Sequence, residues 1–199
     1  MLIFDSEAWP EGDRAEVLNA AFTSAETPQS VRFNAEGPVH HRMEIFKFGP
    51  GVHMLRNTGT ALHVVRNSRH VRLGTCEEMA VFVQTRGQGL LATGDGVSLQ
   101  QPGQIGAVDV TRPYALRQIG DSESNVLLIS FDQLGVPVDT IRAAIPALQA
   151  SPIYRLLQGH LPGLAVDLPA SPATMTGQAT AELITALVTT VSGGREHRC

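Results

Sequence analysis

The sequence has almost no cysteine. Cys76 and Cys199 are the whole supply in 199 residues, and they lie far apart. That spacing excludes a zinc-finger pattern and a disulfide framework. A reduced, cytoplasmic setting is therefore expected. Charge is also scarce: 17% of residues are charged, and the net value is −4. A broad face for gripping a phosphate backbone needs clustered Lys and Arg, so this chain is not expected to bind nucleic acid by itself. No apolar run approaches the length of about 18 residues that a membrane span needs. The start, MLIFDSEAWPEGDR, has neither the basic segment nor the apolar core of a signal peptide. No G-x-S-x-G element, phosphate-binding loop or internal repeat occurs.

What is there is a globular composition. Hydrophobic residues make up 43% of the chain, enough for one domain with a full core and a small helical appendage. Ala15, Leu18 and Phe22 recur at helical spacing, which predicts an N-terminal helix from about Pro10 to Thr27-Pro28. From Val31 to Phe131 short runs rich in Val, Ile, Phe and His are broken by Gly, Pro and Asn-Thr-Gly. About nine short strands in a closed or sandwiched antiparallel sheet are expected there. Gly87-Gln88-Gly89 and Gly94-Asp95-Gly96 are read as tight hairpins. After Phe131 the pattern turns helical. Ser151-Pro152 and Ser171-Pro172 each offer a helix start, and Gly193-Gly194 is read as the end of the last helix. Along that helix Thr180, Leu183, Ile184, Leu187, Val188 and Val191 form one apolar stripe.

The segments ALHVVRNSRHVR, EEMAVFVQTRGQGLL and VSLQQPGQIGAVDVTRPYAL resemble the sensor half of bacterial regulators of the AraC/XylS type. The most specific parts are Arg66, Arg69 and His70 in one element and Asp109 to Tyr114 in the other. The resemblance implies a mainly-β fold: a cupin-like antiparallel barrel with an N-terminal helix and a C-terminal antiparallel helix pair. It implies three parts: helix and sensor barrel over 1–131, a helical dimerisation segment over 132–192, and the start of a linker over 193–199. It also implies a role in transcription regulation, a small-molecule effector in the barrel, a homodimer, and DNA contact only through a helix-turn-helix domain that this chain does not contain. The chain is then either an excised domain or a stand-alone descendant.

Several constellations have two readings. Metal-binding cupins carry a His-x-His pair and a further histidine after the Pro-Gly turn, and both are missing here. His40, His41, His53, His63 and His70 are scattered over several predicted strands. His40 and His41 face opposite sides if they lie in a strand. No metal and no other cofactor is expected. Asp109 is read as a turn cap, with Arg112 paired to it or solvated; alternatively Arg112 and Tyr114 face an effector. The basic run VVRNSRHVRLG is read as a solvated loop, or else as a contact surface for an anion or a DNA-binding domain. Met43, Phe46, Phe48 and Phe82 are read as barrel lining. The expected ligand-binding set is Phe46, His63, Phe82, Gln84, Arg112 and Tyr114, with His63 as the leading polar candidate. The expected dimer seam is Leu183, Leu187 and Val191. No catalytic residue is expected; a metal-dependent cupin enzyme and a ligand-free dimerisation scaffold are the rival readings.

Overall fold

The computed structural model describes residues 2–33, 37–164 and 168–196. Among these residues nine strands occur: β1 (Leu2–Asp5), β2 (Ser30–Phe33), β3 (His41–Lys47), β4 (Val52–Gly59), β5 (Leu62–Arg66), β6 (Glu78–Thr93), β7 (Gly96–Gln100), β8 (Ile105–Asp109) and β9 (Tyr114–Ser130). Every pairing is antiparallel. β6 and β9 are long because each serves two sheets. The second half of β9 pairs with β4, which leads to β3 and β1, and the first half of β6 adds β8. The first half of β9 pairs with β5, which leads to β2, and the second half of β6 adds β7.

The bend between the two sheets lies where the β6–β9 register slips, between Gln84 and Gln88. Gly87 stands there at φ 80°, in the left-handed region that glycine occupies without a Cβ penalty. The Gly87-Gln88-Gly89 element is therefore a bulge inside one strand and not the hairpin its composition suggests. Gly94-Asp95 does turn the chain, between β6 and β7.

Six α-helices are present among the described residues: α1 (Arg14–Thr23), α2 (Ser68–Leu73), α3 (Phe131–Leu134), α4 (Val138–Ala144), α5 (Tyr154–His160) and α6 (Ala170–Glu196). The first helix begins four residues later than Pro10, because Pro10, Glu11 and Gly12 lie in an exposed turn ahead of it. A strand, β1, precedes it and pairs with β3. The basic run is not a solvated loop. Asn67 caps α2 by accepting from the backbone N–H groups of Arg69 and His70, and the His70 ring answers the Asn67 N–H. Arg66 is almost completely buried, and its guanidinium donates to the carbonyls of Val110 (2.6 Å) and Pro28 (2.5 Å). It fastens the segment before β2 to the turn after β8.

α6 does not stop at Gly193-Gly194 but continues to Glu196. Residues 197–199 of the expected linker, with Cys199, lie outside the described residues. The apolar stripe of α6 is not a free seam either. Ile184, Leu187 and Val188 have no exposed surface, Val191 has 6%, and Leu183 packs beside them. They share one buried cluster with Met54, Met79, Val81, Leu127 and Ile129 on the outer face of the first sheet. Burying an apolar side chain of this size is worth about 1.5–3 kcal/mol, so the stripe serves the protomer's own core. At Gly177 the helix backbone comes so close to β3's exit that a Cβ would collide with the Phe48 carbonyl. Only glycine permits that approach.

Candidate functional site

Each residue of β6 between Glu78 and Gln84 is buried, because the strand has protein on both sides. Period-two alternation divides it. Met79, Val81 and Val83 face the helices. Ala80 and Phe82 face the space between the sheets. The same division runs through β9, where Leu127 and Ile129 look outward and Val126 and Leu128 look inward.

The inner faces do not fill the space they enclose. A cavity of about 90 Å³ remains, walled by Leu55, Ala80, Phe82, Val108 and Val126 of one sheet and by Leu62, Val64, Leu91, Tyr114 and Leu116 of the other. Phe22 of α1 and Gln29 also line it. The polar groups on the wall are Gln29, Asn57, Gln118, Ser124 and the Tyr114 phenol. Three polar residues stand in one cross-strand row, since Ser124 of β9 is opposite Asn57 of β4 on one side and Gln84 of β6 on the other. Gln118 Oε1 is engaged by the Leu62 N–H at 3.2 Å. Gln84 is 1% exposed, and neither its amide oxygen nor its amide nitrogen has a partner. Asn57 Oδ1 is likewise buried and unpartnered.

His41 lies on the same inner face, beside the Phe4 and Phe33 rings. Burial pushes its imidazole down to about 4, with the neighbouring Asn57 side chain opposing the shift. That neighbour falls short of hydrogen-bond geometry, so both ring nitrogens lack a partner. The ring is neutral at physiological pH.

Tyr114 and Val108 also wall a second, open cleft of about 370 Å³ on the outside of the barrel, which adds Thr93, Asp95, Arg112, Arg142 and Ile145. The tyrosine thus separates the inner space from the outer one. Burial pushes its phenol up to about 12, against the pull of the nearby Arg66 charge. Asp109 organises the cleft's floor. One carboxylate oxygen accepts from the Thr111 N–H (2.8 Å) and hydroxyl (2.6 Å), and the other accepts from Arg142 Nε at 2.7 Å. Arg112 pairs with the same oxygen at 3.8 Å and is more than half exposed. Arg142 belongs to α4, so this ion pair ties the barrel's rim to the helical segment.

The expected ligand set is therefore divided. Phe82 and Tyr114 wall the inner cavity, and Gln84 belongs to the polar row beside it. Arg112 reaches only the outer cleft. Phe46 is on the helix side of β3, with the Arg56 guanidinium 5.6 Å above its ring. Phe48 is there too, and Met43 packs at the end of the barrel with Phe4 and Leu18. His63 points away from the cavity: Leu62 and Val64 take the inner positions, and His63 stands opposite the exposed Arg117. Two apolar neighbours flanking a histidine mark the histidine as the outward residue. Asn57, Gln118 and Ser124 escaped sequence reasoning. Their signal was parity, because Asn57 follows Leu55 and Ser124 precedes Val126 at a spacing of two.

No group of three His, Cys, Asp or Glu side chains converges among the described residues. Among them, no helix is long and apolar enough to cross a membrane.

Comparison with known proteins supplies the family. No curated protein matches the chain. Among solved structures, the AraC-like transcriptional activator CuxR superposes with a TM-score of 0.69 over 95% of this chain and 70% of that one, at 13% identity. At that identity the match speaks for the fold. An RmlC-like cupin protein from Desulfovibrio desulfuricans is similar over 44% of this chain and 79% of its own, at 18% identity and a TM-score of 0.35. Ectoine synthase from P. lautus is similar over 56% and 74%, at 11% identity and a TM-score of 0.35. The fold is mainly β, with an N-terminal helix and C-terminal helices, and is similar to that of CuxR. A model of the AraC-binding-like domain matches residues 19–191, nearly the whole barrel and helical segment, and the chain belongs to that family.

Proposed function

We propose that this chain is the effector-sensing module of an AraC-type transcription regulator and carries out no catalysis of its own. The observation that carries this reading is the unfilled space between the two sheets, with amide and hydroxyl groups set on an otherwise apolar wall. Pockets that recognise small molecules have that make-up. Asp109 and Arg142 give the signal a route. An occupant pressing on Tyr114 or Val108 alters the strand ends that hold Asp109, and Arg142 carries the change into α4. A ligand that favours one arrangement of barrel and helices shifts the population toward it.

We further propose a homodimer working in the cytoplasm, with pairing through surfaces other than the buried stripe of α6. DNA contact then belongs to a helix-turn-helix module joined to this one. The test is a chimera in which the chain is fused to the DNA-reading module of an AraC-type regulator and placed over a reporter gene. A compound library is expected to yield at least one molecule that changes expression. Ala80→Phe, which fills the cavity, is expected to abolish that response while light scattering shows the same assembly. Expression indifferent to every compound overturns the sensor reading.

A further inference from the structure

The outer cleft holds two acids and two bases, and only one acid and one base answer each other fully. Asp109 accepts from Thr111 and from Arg142 at 2.7 Å, so that carboxylate needs nothing more. Arg142 in turn spends its remaining donors on the Thr111 hydroxyl at 3.3 Å and on Asp139 at 3.5 Å. Arg112 and Asp95 are different. The Arg112 guanidinium stands 3.8 Å from Asp109, beyond hydrogen-bond reach, and its side chain is 58% exposed. Asp95 is exposed, and its carboxylate has neither an ion pair nor a hydrogen bond among the described residues. The two make no ion pair with each other. Chain topology nevertheless brings them to one end of the barrel. The β6–β9 ladder ends there with Ala92 opposite Ala115; Asp95 lies three residues past the first and Arg112 three before the second. The Asp95 N–H donates to the Thr93 hydroxyl at 3.3 Å and steadies the turn. Val108, Pro113 and Ile145 supply apolar wall to the same cleft.

We infer that this cleft is a ligand site in its own right, outside the barrel, for an amino acid with an apolar side chain: its carboxylate pairs with Arg112, its ammonium with Asp95, and its side chain lies on Val108, Pro113 and Ile145. The cleft's volume of about 370 Å³ falls at the lower end of the roughly 300–1,000 Å³ that small-molecule sites occupy. A guanidinium presents a planar fork of donors that fits a carboxylate. An ammonium is donor only, and an ionised carboxylate is acceptor only, so Asp95 suits the other end of the ligand. Having both signs is what selects. An acid without the amine brings a negative charge into a cleft that already holds Asp95. An amine without the acid meets Arg112. A zwitterion answers both, and like charges set side by side oppose binding. Concave, low-dielectric walls strengthen each attraction relative to an open surface.

The probes are L-leucine and its two truncated forms: 4-methylpentanoate, which lacks the amine, and 3-methylbutylamine, which lacks the carboxylate. Methyl-labelled protein reports binding through Ile145 of the outer cleft, with Leu62 of the inner cavity as the control. Leucine is expected to shift the Ile145 resonance saturably at millimolar concentration and to leave Leu62 in place. Both truncated forms are expected to bind at least fivefold more weakly. Arg112→Gln is expected to weaken leucine at least fivefold and to leave 3-methylbutylamine unchanged or tighter. Asp95→Asn is expected to do the reverse, weakening leucine at least fivefold and leaving 4-methylpentanoate unchanged or tighter. Both side chains are exposed and free of hydrogen bonds among the described residues, so both variants are expected to melt close to the parent's temperature.

Equal binding of all three compounds would overturn the inference, since the cleft would then read only the apolar body. So would 4-methylpentanoate binding as tightly as leucine with Asp95→Asn silent, the mark of a plain anion site. Failure of leucine to bind overturns it as well, and would show that Arg112 and Asp95 are simply solvated. The sensor reading is separate and is decided by the reporter chimera. Ala80→Phe fills the inner cavity and is expected to leave leucine binding unchanged. Loss of leucine binding in that variant, or a shift at Leu62 without one at Ile145, would place the ligand inside the barrel and overturn the outer site.

Discussion

The two faces of the first sheet are built from the same strands, yet they do different things. The outer face is apolar and closed, with Met79, Val81, Leu127 and Ile129 in one buried cluster with Ile184, Leu187 and Val188. The inner face carries Ala80, Phe82, Asn57 and Ser124 around unfilled space. The difference is one of side-chain size and polarity at alternate positions of one strand. A core can thus sacrifice packing on one face and recover it on the other, and the recovered face anchors the helices.

Substitutions can break this contrast, and the largest effect is expected on the outer side. Leu187→Asp places an unpaired charge where there is no exposed surface, and it is expected to cost at least about 4 kcal/mol. The outcome is an unfolded or severely destabilised chain in urea titration and not a folded monomer; a folded monomer would return the α6 stripe to the role of a dimer seam.

Acid comes next. His41 in the unfolded chain titrates near 6.5 but in the folded protein near 4. Between those values the unfolded chain binds more protons, so stability falls as pH drops through that window and is flat above it. The loss is roughly 3 kcal/mol, by about 1.36 kcal/mol per unit. His41→Phe removes the ring that resists protonation, and its urea midpoint is expected to depend less on pH between 6.5 and 4.

The ion pair between barrel and helices follows. Arg142→Met leaves the Asp109 carboxylate, whose side chain is only 3% exposed, without its closest charge partner. Thr111 still donates to it, so the expected cost is about 2 kcal/mol, read as a lowered melting temperature.

The smallest effect sharpens the comparison most. Val81→Ala opens a hole in the outer face and is expected to cost about 2 kcal/mol, while Ala80→Val one residue earlier adds a branched side chain facing existing space and is expected to change stability by less than about 1 kcal/mol. Equal and large losses at both positions would mean that the inner face is as tightly packed as the outer.

Much of this was legible in the sequence, and the omissions have physical causes. The strand-rich centre and the flanking helices follow from runs and turn residues that act locally, and the family from the resemblance of a few segments around Arg66 and Asp109. Asp109 reads as a turn cap because its partner Thr111 is two residues away. Its other partner, Arg142, is 33 residues on and leaves no local trace. The burial of Arg66 was likewise hidden, because its partners are backbone carbonyls, which every residue carries. The stripe on α6 was visible, but a helix buried on its own barrel and one buried on a second copy have the same periodicity. His63 misled for a simpler reason: alternation assigns faces only after one decides which neighbours go inside.

Gly177 sets how α6 can move. With its backbone against the Phe48 carbonyl, the helix cannot slide or draw nearer to the sheet at that point. The contact stands about one-quarter of the way along the helix, at the place of a fulcrum. At about 1.5 Å per residue, Val191 lies roughly 21 Å beyond the contact. A tilt of about 5° at the fulcrum would carry it nearly 2 Å sideways over that length. Any tilt of α6 about this contact is therefore larger at its C-terminal end than at its N-terminal end.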